Sequence, residues 1–167
     1  MAKQVLRGGD KLRKALDDLA KKVARGGTVE AGFIDGRTYS DAAKTPVAQV
    51  AQWNEFGTST SPPRPFMRQT INDHQDGWGK ALATSLKATD YDVHRSLDFV
   101  GEIIDDQIRT SIREGSFAPI SERTLEARLA SSKRTGTLKS VNMETASKPL
   151  VDTGLMLGSV SHEVSDD

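Results

Sequence analysis

The chain has 167 residues, enough for one domain with a real core, and its basic and acidic side chains balance at 23 each, which removes the overall positive field of a nonspecific nucleic-acid binder. There is no cysteine, so disulfides, thiol nucleophiles and thiolate metal sites are excluded. With 36% hydrophobic but only 5% aromatic residues the core is expected to be modest, and no apolar run is long enough for a membrane span or a secretory signal. A soluble protein made inside the cell is the expectation.

In chain order, Leu12, Ala15, Leu16, Leu19, Ala20 and Val23 share one face of a helix expected over residues 10–25, with Asp10 as its cap and Gly26-Gly27 as its stop. Residues 28–34 alternate, placing Val29, Ala31 and Phe33 on one face of a half-buried strand, and Asp35-Gly36 is a turn before a polar loop. Thr45 is suited to cap a short helix with Pro46 at its first position and Gly57 as a left-handed stop. Pro62, Pro63 and Pro65 then fix their own φ and hold their neighbours extended, which makes the following loop stiff.

A helix over 66–88 carries Ile71, Trp78, Leu82 and Leu86, but Gly77 and Gly79 predict a soft or broken middle. The strongest helical pattern runs over 90–114, where Val93, Leu97, Val100, Ile104 and Ile108 make one apolar face broadened by Ile103 and Ile112, ended by Gly115. At about 1.5 Å per residue it approaches 40 Å, so part of it is expected to pack on a neighbouring element or subunit. Ser121 caps a short helix to residue 129, and 130–147, rich in Ser, Thr and Lys, reads as a long mobile loop. A helical turn over 153–158 and a strand over 159–164 close the chain. Together these predict one α+β domain spanning 1–167, with a small, mainly antiparallel sheet flanked by more numerous helices.

Convergent chemistry is scarce. Leu150-Val151-Asp152-Thr153-Gly154 resembles the catalytic loop of retroviral-type aspartic proteases, yet in that fold the aspartate lies near the start of the chain, whereas thirteen residues follow Gly154 here. Asp152 is therefore read as a helix cap, with protease chemistry as the alternative. His74, His94 and His162 are isolated and read as surface residues, Asp105-Asp106 with Glu102 as a solvated face, and the glycines match no phosphate-binding fingerprint. No cofactor, metal or small-molecule substrate is expected. Arg64 and Arg68 beside Phe66 suit a protein interface or, as a further alternative, DNA phosphate.

Glu55-Phe56-Gly57-Thr58, followed by Arg64-Pro65-Phe66-Met67-Arg68, resembles the signature of a family of tailed-bacteriophage assembly proteins, the small neck and minor-tail proteins called tail-completion or virion-morphogenesis proteins. Lys148-Pro149-Leu150-Val151-Asp152-Thr153-Gly154-Leu155-Met156 resembles that family's other recurring segment. The resemblance implies an α+β core and a structural, non-enzymatic virion component, made in the bacterial cytoplasm, that acts at the head–tail neck or the tail end. Its implied partners are other neck or tail proteins and further copies of itself in a ring, with a passing contact with DNA allowed and no membrane.

The expected contact surface joins Phe56, Gly57, Thr58, Arg64, Pro65, Phe66, Met67 and Arg68 to Lys148, Pro149, Leu150, Asp152, Thr153, Gly154 and Leu157. In it, Phe66 and Met67 supply apolar contact, Arg64 and Arg68 a polar rim, and the prolines lower the entropy lost on docking. The alternative is that Phe66 plugs the protein's own core.

Overall fold

The computed structural model describes residues 9–24, 26–135, 147–152 and 154–166. Five helices occur among them, α1 (Gly9–Val23), α2 (Val47–Phe56), α3 (Phe66–Ala88), α4 (Val93–Glu114) and α5 (Glu122–Thr135), with two strands, β1 (Thr28–Gly32) and β2 (Ser161–Ser165). The strands pair antiparallel, Thr28 opposite Ser165 and Gly32 opposite Ser161, so the sheet ties the two ends of the described chain together. The fold is thus helix-rich α+β around a small antiparallel sheet, as the patterning predicts.

α3 and the sheet converge on α4. Its heptad-like stripe buries Leu97, Val100, Ile108 and Ile112, and α3 and both strands pack against it. Asp92 caps it by accepting from the Arg95 amide at 3.1 Å, after a tight turn in which Asp90 and Tyr91 take positive φ. α3 runs back along α4 without a break at Gly77 or Gly79. Each glycine costs the helix about 1 kcal/mol relative to alanine. Packing on α4 offsets that cost, and the Trp78 indole N–H, set between the two glycines, donates to Gln107 at 2.8 Å across the helix pair.

The core is a cluster of Val47 and Ala51 from α2, Phe66 from α3, Ile108 and Ile112 from α4, and Leu150, Met156 and Val160 from the C-terminal segment. Val29 and Ala31 alternate on β1 as predicted, but the strand ends at Gly32, two residues short of the expected end at residue 34, and Ala31 and Phe33 pack on that cluster. Several local expectations are corrected. Thr45 does not cap α2, because its hydroxyl donates to Asp41 at 2.6 Å; Pro46 stands at the N-cap with no side-chain bond. Gly115 ends α4 as expected, at an ordinary φ of −59°, where its lack of a side chain leaves room for a neighbour: a Cβ there would lie 2.3 Å from the Phe117 ring. α5 continues to Thr135, six residues beyond the expected end at residue 129, and the remainder of the expected loop, 136–146, lies outside the described residues. The closing helical turn is a single 3-10 turn, Leu157–Ser159.

His162 and Asp105 are not surface groups. His162, on β2 opposite Ala31, lies in a notch on α4 made by Asp98, Gly101 and Asp105, and a Cβ on Gly101 would sit 2.2 Å from the imidazole. Its Nδ1 is 2.9 Å from buried Asp105 and its Nε2 is 3.2 Å from Asp98, while Arg109 bridges Asp105 and the Val160 carbonyl. Burial by itself disfavours the imidazolium, but the hydrogen bonds and charges of Asp105 and Asp98 outweigh it and raise the pKa above the ordinary value of 6.5. A raised folded-state pKa gives stability that is whole below the unfolded pKa and is lost as pH rises through the folded one. The contribution of this cluster to the thermal midpoint is therefore expected to fall as pH rises above the ordinary histidine range of about 6.5, and His162→Gln to remove that part of the slope. Equal slopes in the two proteins would contradict the ion-pair geometry.

Candidate functional site

The first sequence block is built from the end of α2 to the start of α3. Gly57 ends α2 at φ 78° and ψ 174°, a conformation open to glycine alone, and a Cβ there would meet the Pro63 nitrogen at 2.9 Å. The chain turns back at once, with the Thr58 amide donating to the Ser61 carbonyl at 2.9 Å and the Ser61 amide to the Thr58 hydroxyl at 3.1 Å. α3 begins after Pro65, which has no side-chain acceptor for the first amides. Glu55 supplies one from α2: its carboxylate accepts from the Met67 amide at 2.9 Å, the Arg68 amide at 3.1 Å and the Arg68 Nε at 2.9 Å. An anion is favoured at a helix N-terminus, so this buried carboxylate fixes the angle between the two helices.

Arg64 points inward. Its amide donates to the Asn54 carbonyl at 2.6 Å, and its guanidinium donates to Ala118 and Pro119 carbonyls at 2.9 and 3.4 Å, pinning the chain that leaves α4. Burial, with a smaller repulsion from Arg128, lowers its pKa from the ordinary arginine value. Phe66 is 0% exposed and meets Phe33 edge-on at 6.1 Å between ring centres. Arg68 stays outside, its guanidinium 5.1 Å over the exposed ring of Phe56.

The second block is held by Arg128 of α5, which donates to the Lys148 carbonyl at 2.8 Å, Val151 at 3.2 Å and Pro149 at 3.3 Å, with its Nε 3.6 Å from Asp152. Guanidinium bonds to three carbonyls of one turn fix a segment that has no regular structure of its own. Leu150 drops into the core, Gly154 turns at φ 75°, and the Gly158 amide closes onto the Gly154 carbonyl at 2.9 Å.

The two blocks meet. Between them lies an open cleft of about 990 Å³, walled by Pro62 and Arg64 from the first, Pro149, Leu150, Asp152 and Gly154 from the second, and Tyr39, Trp53, Pro119 and Arg128 from elsewhere. Arg64 and Arg128 line it together with Asp41 and Asp152, so its charges balance, and the rest of the lining is part apolar. The Tyr39 hydroxyl there has a raised pKa, from burial first and from Asp152 second, partly offset by Arg128. Such a surface suits a polypeptide segment, since main-chain and apolar contacts are both on offer. Asp152 faces a guanidinium across the cleft edge and makes no cap bond among the described residues, which corrects its reading as a helix cap.

The expected contact residues separate by depth. Arg64, Phe66 and Leu150 lie inside at 6%, 0% and 6% exposure, and the picture of Phe66 as a docking side chain with Arg64 at its rim is corrected: both serve the protein's own packing. Phe56, Thr58, Arg68 and Asp152 are exposed, Gly57, Pro65, Met67, Lys148, Pro149, Gly154 and Leu157 are half-buried, and Thr153 lies outside the described residues. Sequence reasoning missed the roles of Arg128 and Glu55. For Glu55 a signal existed, because a helix opening with Pro-Phe-Met has no cap of its own. Among the described residues no cluster of His, Asp or Glu is placed to hold a metal, and no helix is long and apolar enough to cross a membrane. No family model, curated protein or solved structure matches this chain.

Proposed function

We propose that this chain is a structural, non-enzymatic assembly protein of a tailed-phage virion, acting at the head–tail neck or the tail end through contacts between copies and with other neck or tail proteins. The observation that carries the reading is convergence: the two segments that resemble the tail-completion family, far apart in sequence, wall one cleft. Their buried residues hold the cleft's shape, and the contact falls to what stands outside, namely Trp53 at 45% and Phe56 at 64% exposure on α2, with the Thr58–Ser61 turn beside them. Exposed aromatic side chains next to a pre-ordered loop are what a protein interface uses, since little entropy remains to be lost on docking.

The test is a Trp53→Ser, Phe56→Ser double variant supplied in trans to a parent phage from which the gene is deleted. The purified variant is expected to keep its thermal midpoint within about 3 °C, because both side chains are solvent-facing. Infectious yield is expected to fall by on the order of a hundredfold or more, two interface aromatics each contributing about 2 kcal/mol or more when central. Full-length particles joined normally in the deletion strain, or full complementation by the variant, would count against the reading.

A further inference from the structure

β2 meets α4 through two side chains. Glu163 and Ser165 are exposed, Ser161 is half-buried, and His162 and Val164 turn to α4 on the sheet face they share with Val29 and Ala31 of β1. Among the described residues the charged groups facing the ring are Asp98 and Asp105 of α4, with Arg109 behind Asp105. β1 offers none, because Glu30 and its cross-strand partner Glu163 lie on the other face. Each ring nitrogen has its own carboxylate, Nδ1 at 2.9 Å from Asp105 and Nε2 at 3.2 Å from Asp98. Only the imidazolium carries a proton on both nitrogens; in the neutral ring one of them turns a lone pair on a carboxylate. Asp105 has no spare partner to make good that loss. Its Oδ1 is buried with no hydrogen-bond partner among the described residues, and Arg109, 3.5 Å from Oδ2, already donates to the Val160 carbonyl at 2.6 Å.

We infer that the notch of Asp98, Gly101 and Asp105 is a proton-operated latch: the His162 imidazolium locks β2 onto α4, and loss of its proton releases residues 161–165 while the rest of the fold stays closed. Gly101 makes the close approach possible, since a Cβ there would overlap the ring. The release is local because the neighbouring elements have anchors of their own. Val160, the residue before β2, is 2% exposed in the core, and Ala31 and Phe33 hold β1 against the same cluster. α3 and α4 are joined by Phe66 to Ser111 and Trp78 to Gln107, clear of the imidazole. β2 has only half-buried Val164 as an apolar contact beyond Val160, and a two-stranded ribbon with so little packing is marginal in water. Release strips the main-chain groups of Thr28–Gly32 of their ladder partners and leaves β1 with a bare edge. The His162 pKa lies above its ordinary value, so the latch is whole below about 6.5 and is lost as pH rises through the raised value.

The test is amide hydrogen exchange on the full-length protein, read as protection relative to the intrinsic rate at each pH. As pH rises from about 6 to about 9, protection over 161–165 and 28–32 is expected to fall several-fold, by up to about tenfold per pH unit in the titrating range, while 97–112 of α4 keeps its own. His162→Gln, with no titrating ring, is expected to show the low protection at every pH. Asp98→Asn is expected to fold as the parent does, because that side chain is 52% exposed, and to move the release to lower pH by removing one charge that favours the imidazolium. Protection over 161–165 that does not change with pH overturns the latch. A fall shared equally by 97–112 overturns it in favour of a contribution to global stability alone, and a parental pH profile in His162→Gln overturns it in favour of another titrating group. Should His162→Gln fail to fold, Asp98→Asn decides: release at an unchanged pH overturns the latch, and release at lower pH bears it out.

Discussion

Phe66→Ala is expected to destabilise the isolated protein by about 3–5 kcal/mol. The side chain is fully buried, packs edge-on against Phe33, and sits among Val47, Ile108 and Ile112, so its removal leaves a cavity bounded by α2, α4 and the segment after β1. The helix backbone around it cannot close that space, because the Phe66 carbonyl is held by the Ser111 and Thr70 hydroxyls at 3.1 and 2.8 Å. For a chain of this length the loss corresponds to a fall in thermal midpoint on the order of 10 °C, readable by circular dichroism on the purified variant. A midpoint within about 2 °C of the parent would return Phe66 to the surface and revive its role as a docking side chain. Any defect in particle assembly caused by Phe66→Ala is then to be read as loss of fold, which is why the interface test uses Trp53 and Phe56.

The second large effect belongs to Glu55. Its carboxylate, 5% exposed, accepts from two amides of α3 and from Arg68, and it is the only acceptor among the described side chains for those two amides. Glu55→Ala strands both amides at a half-buried helix start, while Arg68, more than half exposed, rehydrates and loses little. The expected cost is about 2–3 kcal/mol, with Glu55→Gln in between because it keeps one acceptor oxygen but not the charge. Amide hydrogen exchange gives the sharper check: Met67 and Arg68 are expected to lose protection selectively in Glu55→Ala. Unchanged protection there would mean that the carboxylate is not the cap. The same substitution is expected to loosen the angle between α2 and α3, and with it the cleft.

Both effects change what the Glu-Phe-Gly-Thr and Arg-Pro-Phe-Met-Arg segments mean. Glu55 reaches forward to cap α3, Gly57 allows the reversal, Arg64 reaches across to the 118–119 carbonyls, and Phe66 enters the core. The block works as a folding device that leaves only Phe56, Thr58 and Arg68 exposed.

What the amino-acid sequence determined by itself was local. Apolar periodicity placed α1, α4 and β1, the Ser121 cap started α5, and the balance of helix to strand set the fold class, because each of these depends on neighbours within one or two turns. Tertiary structure decided the rest. Gly77 and Gly79 lie in an unbroken helix because α4 packs along it, and the second block, which has little regular structure of its own, is held by Arg128 of α5. Charged side chains were the least legible: Glu55, Arg64, Asp105, Arg128 and His162 read as solvent-facing by type, yet each is buried or nearly so. The reason is physical. Burying a charge is unfavourable until its partners are in place, and the partners here, the α3 amides for Glu55, the 118–119 carbonyls for Arg64, the second-block carbonyls for Arg128 and the α4 carboxylates for His162, come from other elements and exist as a set only in the folded chain.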